Sequence, residues 1–213
     1  MSKKAMDNKE TTEVPRISMD YFFMTEEDKK ASENPILVMI DESTKDKYAR
    51  AVGRKGVGTD GSMDWMVRDL CAELKTWGHQ GGEAGEIIIK SDGERAITAV
   101  RDAVARFHGG KIIPESPAKG ESQSNGLIEE TGKTIREFVR VMKCQVEDKA
   151  SMKITSEMPI IQWMVRWAAM MLSRFKVGKD GKTTYERRRG RRCKIPVVPF
   201  GETMWYKQVR EQT

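Results

Sequence analysis

Short apolar runs alternate along this chain with stretches whose apolar residues recur every three or four positions, and that alternation restricts it to an α/β fold. Residues 36–40, 87–89 and 111–113 are runs of the length of buried strands. Ahead of them Ile17, Met19, Tyr21 and Phe23 alternate with Ser18, Asp20, Phe22 and Met24, a strand pattern with one fully apolar end. Residues 48–52 read as the hairpin partner of 36–40 across the turn-like 41–45, which gives three antiparallel strands in meander order. Met63, Met66, Val67, Leu70 and Leu74 predict a helix from a cap at Asp60 to about residue 76, and Ile97, Val100, Val104 and Phe107 predict a second over 96–107. Residues 78–85 and 114–125 read as loops. Strands interleaved with helices make 87–89 and 111–113 parallel additions to the meander. A long helix over 126–150 follows, with Ile128, Ile135, Val139, Met142 and Val146 as its apolar stripe. A further helix over 160–175 and a strand-like 195–200 complete the expectation. The expected domains are a disordered lead-in without apolar periodicity (1–13), a body (14–152), and a helical and basic extension (153–213).

Charge is divided along the chain. Residues 1–150 hold 24 Lys+Arg against 27 Asp+Glu, a balance of −3, whereas 151–213 hold 14 against 5, a balance of +9. A basic segment after a near-neutral body suits phosphate-backbone binding, and equally a solvated basic surface. Its densest part is Arg187, Arg188, Arg189, Arg191 and Arg192, read as phosphate contacts, a nuclear import signal or a solvated loop. The longest apolar stretch, 160–172, carries Gln162 and Arg166 and is too short for a bilayer of roughly 30 Å, so no membrane partner is expected. No charged-then-apolar leader opens the chain, and Cys71, Cys144 and Cys193 form no Cys-x-x-Cys pair. Both point to an intracellular setting, nuclear or cytoplasmic, rather than to secretion. With two histidines, His79 and His108, a His/Cys zinc module is excluded, and a metal would rest mainly on carboxylates. Asp41, Asp60 and His108 read as turn, cap and surface residues. Trp163 and Trp167 share one helix face and read as core or interface.

Three acids stand where the chain changes element type: Asp20 inside the apolar first strand, Asp92 at a strand end, and Glu129 in the first turns of the long helix. Asp92 and Glu129 have 36 residues between them. An ionised carboxylate in an apolar strand is costly without a cation, and a divalent metal is the natural partner of Asp20. The element order, the strand Ile17-Ser-Met-Asp-Tyr-Phe-Phe, the turn Lys90-Ser-Asp-Gly-Glu94 and the string Ser122-Gln-Ser-Asn-Gly-Leu-Ile-Glu129 together resemble the catalytic core of retroviral and retrotransposon integrases, which is ribonuclease H-like. Downstream, Trp163-Met-Val-Arg-Trp-Ala-Ala and Gly181-Lys-Thr-Thr-Tyr-Glu186 look like the segment after the core in copia-type elements.

That resemblance implies a five-stranded mixed sheet flanked by helices, with Asp20, Asp92 and Glu129 as a catalytic triad. It also implies two Mg²⁺ ions, or Mn²⁺, held by the same three residues: Asp20 bridging, Asp92 and Glu129 taking one ion each. The activity implied is 3′-end processing followed by strand transfer, for integration of a retrotransposon into DNA. Double-stranded DNA, both element ends and target, would be the partner, with the chain acting as a homo-oligomer and without a small-molecule substrate. Lys133 and Arg136, four and seven residues after Glu129, share its helix face and match family positions that touch the DNA backbone. Gln123 and Asn125 match loop residues that approach DNA. The sequence departs from the family where Asp92 is followed directly by Gly93-Glu94, where Glu130 stands beside Glu129 as an alternative third ligand, and in carrying no preceding zinc module. A ribonuclease H-like nuclease and a catalytically inactive DNA-binding remnant of a transposable element are the competing readings. For the nuclease a fourth carboxylate is usual, and Glu73 is poorly placed to supply it.

Overall fold

The computed structural model describes residues 14–116 and 125–205; Gln123 lies outside them. Five strands, β1 (Arg16–Phe22), β2 (Ile36–Asp41), β3 (Lys47–Ala51), β4 (Gly82–Ser91) and β5 (Gly110–Glu115), form one sheet in the order β3-β2-β1-β4-β5. β1–β2 and β2–β3 are antiparallel, and β1–β4 and β4–β5 are parallel, the mixed sheet expected of the sequence. Six helices are described: α1 (Glu26–Ala31), α2 (Asp64–Trp77), α3 (Arg95–His108), α4 (Gly126–Ala150), α5 (Pro159–Phe175) and α6 (Thr184–Arg189).

Side-chain alternation sorts the sheet between two cores. Ile17, Met19 and Tyr21 of β1 and Leu37 and Met39 of β2 join α2 and α3 on one face. Phe22 of β1 and Ile36, Val38 and Ile40 of β2 join α4 and α5 on the other. β2 is apolar from Ile36 to Ile40 because both of its faces are covered. On β1 the positions facing α4 and α5 are Ser18, Asp20 and Phe22, so the alternation that buries Ile17 and Met19 also turns Asp20 toward the second helical layer. Leu70 of α2 is fully buried in the first core. Leu70→Ala is expected to cost about 3 kcal/mol of stability, read as a lower midpoint in urea unfolding.

Several expectations shift. Asp60 does not cap α2, which starts at Asp64 after Met63; its carboxylate instead accepts from Ser62 and from Arg54 (2.5 Å). β4 begins at Gly82 rather than after the expected glycine loop, with an irregularity between Gly82 and Glu86 where it pairs with β5. Residues 195–200 form no strand. Phe200 instead packs edge-on against Trp167 of α5, ring centroids 6.0 Å apart, and Lys149 of α4 pairs with Glu202 at 2.7 Å. His108 is buried rather than at the surface, because its Nε2 meets the carbonyl of His79 at 2.9 Å as α3 ends against the loop after α2. Asp41 is the turn residue expected, and a buried one. Burial opposes its charge, but hydrogen bonds from His79 (3.0 Å), the Ser43 hydroxyl and the Ser43 and Thr44 backbone hold its carboxyl well below the usual range.

Candidate acidic site at the strand ends

β1 and β4 run parallel, and their register ends at Met19 beside Ser91. One step further along both strands come Asp20 and Asp92, so two acids 72 positions apart become neighbours at one end of the parallel pair. Asp20 is half-buried, and the loss of solvent around its carboxyl pushes it up to about 6. The Tyr21 backbone N–H, donating at 2.7 Å, pulls the value back; the charge of Asp92 raises it, Lys55 lowers it and Glu94 raises it. The turn carrying Asp92 is closed by its own side chain, which accepts from the Glu94 N–H at 3.1 Å.

The third candidate comes from the opposite layer. α4 lies across β1 at Gly132, where an added Cβ would stand 3.3 Å from the Phe22 ring, so glycine lets helix and strand approach closely. Arg136, one turn on, sets its guanidinium over the same ring at 5.5 Å. Glu129 is one turn before Gly132 and is exposed, as are Glu130 and Lys133. Asn125 immediately precedes α4 and makes no side-chain cap. The structure thus brings Asp20 and Asp92 together and lays α4 across the strand that carries Asp20. Among the described residues no group of three or more His, Cys, Asp and Glu side chains converges closely enough to hold a metal ion.

Sequence reasoning passed over Lys55 and Glu94. Lys55, in the loop between β3 and α2, donates to both carboxylate oxygens of Glu94 at 2.9 and 2.8 Å. It lies over the rings of Tyr21 and Phe23, 5.4 and 5.3 Å from their centroids. The Tyr21 hydroxyl accepts from the Gly56 N–H at 3.0 Å, tying the same loop to the strand that carries Asp20. Nothing in the periodicity singles out a lysine in a glycine-rich loop; the one available signal was the Asp92-Gly-Glu94 turn.

The basic segment is partly structural. α6 opens with a capping box between Thr183 and Glu186. Arg187 is held by Asp180 (2.6 and 2.9 Å) and the Thr44 carbonyl (3.1 Å), Arg188 pairs with buried Asp46 (3.1 Å) and donates to the Thr76 carbonyl (2.9 Å), and Arg192 pairs with Glu186 (3.1 Å). Arg189 and Arg191 are exposed. A cavity of about 390 Å³ lies here, between β3, α5 and α6, lined among others by Trp163, Trp167 and Tyr185, away from the acidic pair. Glu73 of α2 accepts from the Trp77 indole at 2.8 Å on this side of the molecule.

Compared with known proteins, the chain matches no family model and no curated protein. It is similar in structure to a chain of the simian T-cell lymphotropic virus intasome, solved by cryo-EM in complex with PP2A regulatory subunit B56 gamma, with TM-score 0.57 at 13% sequence identity. The match covers 92% of this chain and 61% of that one, so the chain spans about three fifths of its neighbour's length. The fold is ribonuclease H-like. At that identity the likeness carries the architecture, a five-stranded mixed sheet between two helical layers, and stops there. No described helix is long and apolar enough to cross a membrane.

Proposed function

We propose that the chain is an integrase-type polynucleotidyl transferase that processes the 3′ ends of a transposable element's DNA and joins them to target DNA, working as a homo-oligomer inside the cell. The observation carrying this reading is Asp20: a carboxylate set in the central strand of a ribonuclease H-like sheet, destabilised by burial and by Asp92 beside it. Two hard-oxygen donors that repel one another are what a Mg²⁺ or Mn²⁺ ion relieves, so the donor chemistry fits the cation. When bound, a metal pair supplies charge neutralisation for the attacking and leaving oxygens at phosphorus.

The chain's own residues would do the remainder. Asp20 and Asp92 would hold the cations from the sheet and Glu129, or Glu130, from α4. Lys133 and Arg136 would meet phosphates along the same helix face, with Asn125 and Gln123 near the end of the strand being joined. Mg²⁺ with double-stranded oligonucleotides bearing element ends tests the reading. Joined products support it, cleavage without joining replaces it with a nuclease, and binding without turnover replaces it with a non-catalytic module. That last reading draws on the exposed position of Glu129 and the absence of a three-acid group among the described residues.

The DNA reading of the C-terminal arginines narrows to those without a structural role. Replacing Arg189 and Arg191 together by Ala is expected to lower the slope of log affinity against log salt by roughly two, at about 0.9 for each phosphate no longer neutralised, with thermal stability unchanged. Arg188→Ala is expected to lower stability instead, since it strands the buried carboxylate of Asp46. Filter binding over a salt series and a thermal melt read the two effects separately.

A further inference from the structure

Glu94 is the second acid acting on Asp20, and its charge points the same way as that of Asp92. Two residues past Asp92, it is bound by the ammonium of Lys55, which donates to both of its carboxylate oxygens. Lys55 is itself fixed. Its ammonium lies over the rings of Tyr21 and Phe23, the neighbouring Gly56 is bonded to the Tyr21 hydroxyl, and an added Cβ at Gly56 would stand 3.7 Å from the Ala96 backbone at the start of α3. The loop between β3 and α2 therefore spans from the strand carrying Asp20 to the turn carrying Asp92, with a lysine at its centre.

We infer that Lys55 is a positioning residue that withholds Glu94 from the Asp20–Asp92 pair, so that the pair presents two sheet carboxylates to a divalent cation rather than three. This rests on the acidic pair being the metal site of the proposed function. Glu94 is an alternative hard-oxygen ligand within the same turn. Freed, it adds charge and a donor to the site, which tightens the hold on a cation and fills coordination positions that a phosphate oxygen must take. A lysine acting only by supporting the loop would have the opposite signature, because its loss would loosen the turn and weaken binding.

Mn²⁺ titrated calorimetrically into the protein without DNA separates these. Lys55→Met keeps a side chain of similar length while removing the ammonium that binds Glu94, and is expected to bind Mn²⁺ about tenfold more tightly than wild type. Lys55→Arg should restore the wild-type value. Glu94→Gln alone should not tighten binding, and the pair Lys55→Met with Glu94→Gln should lose the tightening. Weaker or unaltered Mn²⁺ binding in Lys55→Met overturns the inference, as does tightening that survives Glu94→Gln or the absence of binding in both wild type and Lys55→Met. Should Lys55→Met fail to fold, Lys55→Gln takes its place with the same expected tightening. A chain that tightens on Mn²⁺ as described yet joins no DNA keeps this inference and loses the transferase reading.

Discussion

Asp92→Asn is expected to reduce Mg²⁺-dependent joining by roughly a thousandfold while DNA affinity stays within about twofold of wild type. The size follows from what the residue would do. A metal at phosphorus is worth several kcal/mol of transition-state stabilisation, and each 1.36 kcal/mol is a factor of ten. Asn keeps the size of the side chain and its acceptor oxygen, so the bond to the Glu94 N–H and the turn survive, and what would be lost is one charge toward a bound cation. Single-turnover joining with preassembled DNA isolates that step from binding. A variant that joins at a tenth of the wild-type rate or better would remove Asp92 from the chemistry.

Asp20→Asn should abolish joining as fully and yet make the metal-free protein more stable. In the unfolded chain an aspartate titrates near 3.9; in the fold Asp20 is pushed up to about 6 by burial first and by its acidic neighbours after it. The native state therefore binds this proton more tightly than the unfolded state does. The stability linked to the protonated carboxyl is fully present below about pH 4 and is lost as pH rises through about 6. At pH 8 the ionised side chain costs the fold roughly 2 kcal/mol, allowing for the water that still reaches it, and the amide removes that cost. For a chain of this size the melting temperature should rise about 4–8 °C at pH 8 and hardly change at pH 4. Mg²⁺ should stabilise wild type and leave Asp20→Asn unmoved. A variant that melts lower than wild type at pH 8 would mean that the carboxylate has a structural partner rather than a vacancy for a cation.

The sheet was legible because its constraints are periodic. Two-sided burial makes β2 apolar over its first five residues, one-sided patterning marks β1, and the stripes of α2, α3 and α4 repeat at helical spacing. What escaped notice lacks a period. α1 is six mainly charged residues, held as a helix by Thr25, whose side chain accepts from the Asp28 N–H at 3.0 Å. β4 starts among glycines that are strand-like only because β5 lies beside them. α6 did carry a local signal, Thr183-Thr-Tyr-Glu186, a capping box hidden within a run read for its charge. Of the acidic site, Asp20 and Asp92 could be placed because strand ends fix their neighbours. Glu94 and Lys55 could not, because their contact joins a turn to a loop 39 positions away through side-chain reach alone.

α6 is pinned by Arg187 and Arg188 to the connection between β2 and β3, near Thr44 and Asp46. Asp20 pairs with Val38, so that connection begins four residues further along β2, about 13 Å away at 3.3 Å per residue and toward the opposite rim of the sheet. A duplex seated on the acids would meet the arginines of the same subunit only about four base steps or more from the reacting phosphate. If the chain is the transferase proposed above, its cationic end would grip distant duplex, or the DNA held by a neighbouring subunit, rather than the reacting phosphate.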